Sequence, residues 1–183
     1  HLFVSEYGAG SDKRINAMNP LRFDFSGQYQ LLFHEAYLRQ IHQRKWLVGS
    51  AIWNQFDFSQ PHTGGSINHV NQKGLQGFDR KPKDTYYFYK ANWSDKSLVY
   101  LGIRDWDLRA IWTGKKPHPD LSAIHEIPVF SNMESVELFH NGQSLGLRQP
   151  NDQNIARWEL EMKPGTHLFL ASGKNAVNDF AQT

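Results

Sequence analysis

The hydrophobic pattern of this 183-residue chain changes near Ser94, and that change limits the folds open to it. Upstream of it, strand and helix signals alternate. Leu2-Phe3-Val4-Ser5 is a short apolar run that stops at Glu6, and Tyr7-Gly8-Ala9-Gly10 breaks it. Ser26 is placed to cap a helix running to about Lys45, with Tyr29, Leu32, Phe33, Ala36, Leu38 and Ile41 spaced mostly three or four apart on one apolar face. The run from Trp46 to Trp53 is nearly all apolar or small, which predicts a strand covered on both faces, as in a parallel sheet. Pro82 suits the first turn of a second helix ending near Trp93. Strand, helix, strand, helix in this order predicts parallel βα units with right-handed crossovers.

Downstream the pattern is all-β. Short apolar or alternating runs fall at 98–103, 108–112, 127–130, 136–139, 156–160 and 167–171, separated by turn residues that include Asn141-Gly142 and Pro164-Gly165. The stretch from Ser135 to Leu145 predicts a hairpin closed by Asn-Gly, because both turn positions need positive φ. Six or seven short strands in such a length fit an immunoglobulin-like sandwich, and the absence of cysteine excludes its disulfide-bonded antibody version. The division expected is therefore an α/β piece over residues 1–93 and an all-β sandwich over 94–183.

Composition narrows the chemistry. Twenty Lys+Arg against 18 Asp+Glu leave no one-signed field, so nucleic acid is not an expected partner. No apolar run reaches the ~20 residues of a membrane helix, and no signal peptide opens the chain, so no membrane partner is expected. Without cysteine there are no thiolate ligands or nucleophiles, and the nine histidines show no metal-ligand spacing; neither a metal nor a cofactor is expected. Asn92-Trp93-Ser94 is a formal glycosylation sequon, a pattern common by chance.

Glu6 and Trp53 each stand where an expected parallel strand ends, the place where α/β folds present functional groups. A carboxylate beside an indole face suits a glycosidase: the acid attacks, the indole stacks on the sugar. The same residues also fit a structural ion pair and a core tryptophan, and position alone leaves both readings open.

Three separated blocks add a resemblance. Val4-Ser5-Glu6-Tyr7-Gly8-Ala9-Gly10, then Gly49-Ser50-Ala51-Ile52-Trp53-Asn54-Gln55-Phe56-Asp57-Phe58, then the stretch from Asn71-Gln72-Lys73-Gly74 to Pro82-Lys83-Asp84 resemble, in order and spacing, the end of the catalytic barrel of glycoside hydrolase family two. The aromatic run from Tyr86 to Trp93 matches as well, and residues 129–142 resemble the immunoglobulin-like domain that follows the barrel in many members. The resemblance implies the last two βα units of a TIM barrel followed by that domain. It implies a retaining exo-β-glycosidase acting by double displacement, with Glu6 as nucleophile and Trp53 lining the sugar subsite. Retention needs a second carboxyl roughly 5–5.5 Å away as acid/base. In the family that residue lies on an earlier barrel strand, outside these 183 residues; Glu35, expected on the solvated face of its helix, is no substitute. The chain alone is therefore expected to be inactive, its open barrel edge covered by the rest of a parent enzyme or by another copy.

Asn71 and Lys73 resemble the Asn-x-Lys pair that grips the sugar carboxylate in β-glucuronidases, and the same pattern followed by Gly-Leu also occurs in galactosidase-like members. The resemblance ranks β-galactosides first and β-glucuronides second, although Ala9 stands where the best-known β-galactosidase pattern has a substrate-contacting His. A reading of another class is a non-catalytic carbohydrate-binding or scaffolding sandwich. A periplasmic or secreted compartment would suit polysaccharide degradation, but nothing in these residues assigns one.

Overall fold

The computed structural model describes residues 1–106, 122–175 and 180–182; the strand expected at 108–112 lies outside them. The chain divides into two compact units, residues 1–89 and 90–183.

In the first unit, β1 (Leu2–Tyr7) leads through a long loop into α1 (Gly27–His42), and β2 (Leu47–Ile52) follows. Strands β1 and β2 pair in parallel, with Val4 opposite Ser50 and Tyr7 opposite Ile52. Ser26 caps α1 as its type predicts: its hydroxyl accepts the Tyr29 backbone N–H at 3.0 Å, satisfying one donor the first turn leaves open. A further loop carries two short strands, β3 (Phe58–Ser59) and β4 (Val70–Asn71), paired antiparallel. The helix α2 (Asp84–Trp93) closes the unit and runs into the next.

Two expectations are corrected. The face that α1 buries is centred on Gln30, Leu31, His34, Glu35 and Leu38, whereas Leu32 is exposed. Glu35 thus lies on the buried side of the helix, not on its solvated one. The positions still recur at helical spacing, but polar side chains occupy three of the five because distant polar partners meet them there. The first two strands are not covered on both faces either: Leu2, Phe3, Trp46 and Val48 are exposed. Among the described residues, β1 and β2 have only each other as sheet partners.

The second unit is sheet-rich. One sheet has the order β11-β10-β7-β8 and the other β5-β6-β9, from β5 (Val99–Leu101), β6 (Ala123–Ser131), β7 (Ser135–His140), β8 (Gln143–Arg148), β9 (Ile155–Met162), β10 (Phe169–Lys174) and β11 (Phe180–Gln182). Their shared core draws Ile127 and Val129 from β6, Val136 and Leu138 from β7, Trp158 from β9 and Ala171 from β10, an arrangement consistent with a β-sandwich. Alternation makes the register readable: Ile127 lies opposite Trp158, and Val129 opposite Ala156. A Cβ on Gly173 would sit 2.6 Å from Val99 Cγ2, so β10 approaches β5 more closely than any larger residue would allow. The hairpin β7–β8 turns at Asn141-Gly142, both at positive φ (51° and 81°), as their types require.

Candidate functional site

Backbone hydrogen bonds in the first unit join the three sequence blocks. The Trp53 N–H donates to the Tyr7 carbonyl at 2.8 Å, the Asn54 N–H to the Lys73 carbonyl at 3.1 Å, and the Ser11 N–H to the Gln72 carbonyl at 3.0 Å. The residue after Glu6, the residue Trp53 and the segment Asn71–Lys73 are therefore fixed to one another although up to 67 positions separate Glu6 from Lys73 in the sequence. Two glycines permit this closeness. A Cβ on Gly8 would fall 1.8 Å from the Trp53 carbonyl oxygen, and one on Gly74 would fall 2.3 Å from the Asp57 nitrogen and 2.4 Å from the Gln76 oxygen.

Alternation along β1 separates the roles of neighbouring residues. Glu6 is exposed and Tyr7 buried. The Tyr7 hydroxyl lies 3.0 Å from that of Tyr89, which lies 2.9 Å from His34 Nδ1, and the Tyr7 ring stacks on Tyr37. Burial holds the His34 imidazole neutral, down to about 3. An unfolded histidine protonates near 6.5. Its folded-state pKa is depressed, so it contributes stability that is complete above 6.5 and is lost as pH falls from 6.5 toward about 3. The expected slope is about 1.4 kcal/mol per pH unit across that window. Urea unfolding of the chain between pH 7 and 4 should show the decline, and His34→Gln should flatten it; an equally steep decline in the variant would contradict the assignment.

Beneath the joined segments lies a buried ion pair. The Lys83 Nζ donates to Asp57 Oδ1 at 2.9 Å, to the Ser11 carbonyl at 3.0 Å and to the Gln72 carbonyl at 3.1 Å, and Asp57 Oδ1 also accepts the Gly74 N–H at 2.9 Å. Burial pushes the Asp57 carboxyl up and the Lys83 ammonium down; their mutual attraction offsets part of each shift. Gln30, wholly buried, adds a second tie: its Nε2 donates to the Ala9 and Gly74 carbonyls, and its Oε1 accepts from Ser11 and Thr85.

The upper surface is more open. Trp53 is 39% exposed with its ring edge-on to Phe58. Asn71 donates from Nδ2 to Gln60 Oε1 at 3.2 Å and accepts the Lys73 N–H at 3.2 Å. Lys73 is exposed and forms no ion pair among the described residues. Glu6, Trp53 and Lys73 thus present an acid, an aromatic face and a cation from segments joined at the backbone. The described residues contain no cluster of three metal-ligating side chains, and no helix among them is long and apolar enough to cross a membrane.

Known proteins are similar to this chain over nearly its whole length. A family model described as a domain of unknown function, DUF4982, matches residues 123–176. A β-glucuronidase of Bacteroides fragilis is 31% identical over 182 residues, covering 95% of this chain and 24% of that protein. The β-galactosidase BoGH2A of Bacteroides ovatus is 28% identical over 148 residues, 77% of this chain and 16% of its own length. In structure, a Bacteroides uniformis β-glucuronidase 2, covalently bound to cyclophellitol-6-carboxylate aziridine, superposes with a TM-score of 0.85 at 34% identity, covering 99% of this chain and 21% of that one. This chain is a family-two glycoside hydrolase homologue. It spans about a quarter or less of the length of these relatives.

In this family-two homologue, Gln72, Lys83, Asp57 and Gln30 are structural partners of the candidate residues that sequence reasoning did not single out. A signal existed for one of them: Gln72 stands between two polar residues in an extended segment, where alternation turns it to the opposite side. Lys83 carried none, since lysine is among the residue types least often buried.

Proposed function

We propose that this chain carries the nucleophile half of a retaining β-glycosidase, with Glu6 attacking the anomeric carbon to form a glycosyl ester that water later cleaves. In this reading residues 1–93 are the last two βα units of an eight-stranded barrel, and residues 94–183 are an immunoglobulin-like domain behind it. A barrel strand outside these residues supplies the acid/base carboxyl, and the remaining strands cover the exposed apolar residues of β1 and β2, so the isolated chain is inactive. The observation that supports the reading is the backbone bonding of Trp53 to Tyr7 and of Asn54 to Lys73, which ties the strand that carries Glu6 to the segments that carry Trp53 and Lys73.

Within that class we favour a terminal β-glucuronide as substrate. Lys73 and Asn71 offer a cation and an amide donor, the complement of a sugar carboxylate. The glucuronidases among the relatives support this, as does the carboxylate-bearing cyclitol covalently held by the Bacteroides uniformis enzyme. The β-galactoside, ranked first on sequence alone, is the second reading, supported by the Bacteroides ovatus relative. Kinetics of the complete protein on aryl β-glucuronides and aryl β-galactosides separate the two. Lys73→Ala is expected to lower kcat/KM on the glucuronide about 10- to 100-fold, the worth of one charge-assisted hydrogen bond, and to change galactoside turnover less than about threefold. Equal losses on both sugars, or preference of the unsubstituted protein for the galactoside, would favour the second reading.

A further inference from the structure

Gln72 stands between the two residues assigned to the uronate and points away from both. It is 3% exposed, whereas Asn71 is half-buried and Lys73 exposed, the alternation of an extended segment. Every polar group of Gln72 that faces inward is engaged. Its Nε2 donates to Ser66 Oγ at 2.8 Å, and its Oε1 accepts the Ile67 N–H at 3.1 Å. Its carbonyl receives both the Ser11 N–H and the Lys83 ammonium. Ser66 is itself held, since its hydroxyl donates to Asp12 Oδ2 at 2.7 Å, and Asp12 is clamped by Arg14 through both carboxylate oxygens at 2.9 and 2.6 Å. The fixed end of this chain of bonds therefore lies on the loop that follows β1, the strand carrying Glu6.

We propose that Gln72 is a positioning residue for sugar recognition: its buried amide sets the rotation of the Asn71–Lys73 segment and so fixes where the Asn71 amide and the Lys73 ammonium meet a substrate carboxylate. The proposal rests on the uronate reading above and extends it to a residue that touches no substrate. Asn71 and Lys73 are joined to each other only by the local bond from the Lys73 N–H to Asn71 Oδ1. Backbone bonds still hold both ends of the segment, through the β3–β4 pairing at Asn71 and the Asn54 N–H on the Lys73 carbonyl; without the buried amide between them the intervening turn can tilt, and the two ligand groups lose their common aim.

The test is a double-mutant cycle in the complete protein, assayed on an aryl β-glucuronide. Gln72→Met keeps the length of the side chain and removes both amide functions. It is expected to raise KM about tenfold with kcat within about twofold, the pattern of lost ground-state recognition. In a Lys73→Ala background the same change is expected to raise KM less than about twofold, because the group it aims is gone. Ser66→Ala, which removes the hydroxyl partner of Gln72 Nε2 together with its bond to Asp12 and leaves the Ile67 N–H on Gln72 Oε1, is expected to show the same pattern at about threefold and keeps the test open should Gln72→Met fail to fold. Fully multiplicative losses in the cycle, a loss confined to kcat, or an unchanged KM would overturn the positioning role while leaving the glycosidase reading intact. An unsubstituted protein that hydrolyses no β-glucuronide would overturn the uronate reading and the proposal with it.

Discussion

Glu6→Gln is expected to reduce kcat of the complete protein on an aryl β-glucuronide on the order of 10⁴-fold, with KM changed by less than about threefold. The amide keeps the shape of the carboxylate and cannot form the glycosyl ester. The Glu6 side chain makes no hydrogen bond or ion pair among the described residues, so its replacement should leave the unfolding midpoint unchanged. Tyr7, on the opposite face of β1, carries the structural role through its bonds to Tyr89 and Trp53. Steady-state kinetics beside a thermal melt check both halves of the expectation. A loss under about tenfold would remove Glu6 from the role of nucleophile.

The second large effect concerns stability. Gly74→Ala is expected to destabilise the first unit by about 3 kcal/mol or more. The added methyl would collide with the Asp57 nitrogen, the Phe56 carbonyl carbon and the Gln76 oxygen, all backbone atoms within 2.5 Å. Retreat is blocked, because the Gly74 N–H is bonded to Asp57 and its carbonyl to Gln30. Any shift large enough to relieve the clash also disturbs the Lys83–Asp57 pair. Gly27→Ala is the control: open space surrounds that position at the start of α1, and the change should be neutral or stabilising by up to about 1 kcal/mol. Hydrogen exchange at the Asp57 and Leu75 amides reads the difference directly. Equal protection in the two variants would contradict the steric account.

The parts of this fold legible in the sequence are those set by local chemistry. Ser26 announces a helix start because its hydroxyl replaces a missing backbone partner, and Asn141-Gly142 announces a hairpin because both residues accept positive φ. The strands at 127–130, 136–139 and 156–160 were marked by apolar residues and appear within β6, β7 and β9. What escaped depends on partners remote in sequence. Glu35, expected on the solvated face, is buried; Gln30 and His34, polar residues outside the apolar face assigned to the helix, are buried too, because Gln30 meets Ser11 and Thr85 and His34 meets Tyr89, each brought close only by the fold. The two-residue strands β3 and β4 are too short to leave any periodicity.

The candidate site was legible to a different degree. Glu6, Trp53, Asn71 and Lys73 could be named from three motif blocks, but not the bonds that join those blocks. The Trp53 N–H to Tyr7 and the Asn54 N–H to Lys73 are backbone contacts, which no residue type encodes. The closeness they impose is written only in Gly8 and Gly74, and a glycine does not say what it lets approach.

The measurement that bears most directly on the central claim is covalent trapping. The complete protein, incubated with a 2-deoxy-2-fluoro-β-glucuronosyl fluoride and digested, should yield one labelled peptide, with the sugar esterified to Glu6. A label on any other carboxylate, or full inactivation with Glu6 unmodified, would contradict the assignment of this chain as the nucleophile-bearing part of a retaining glycosidase.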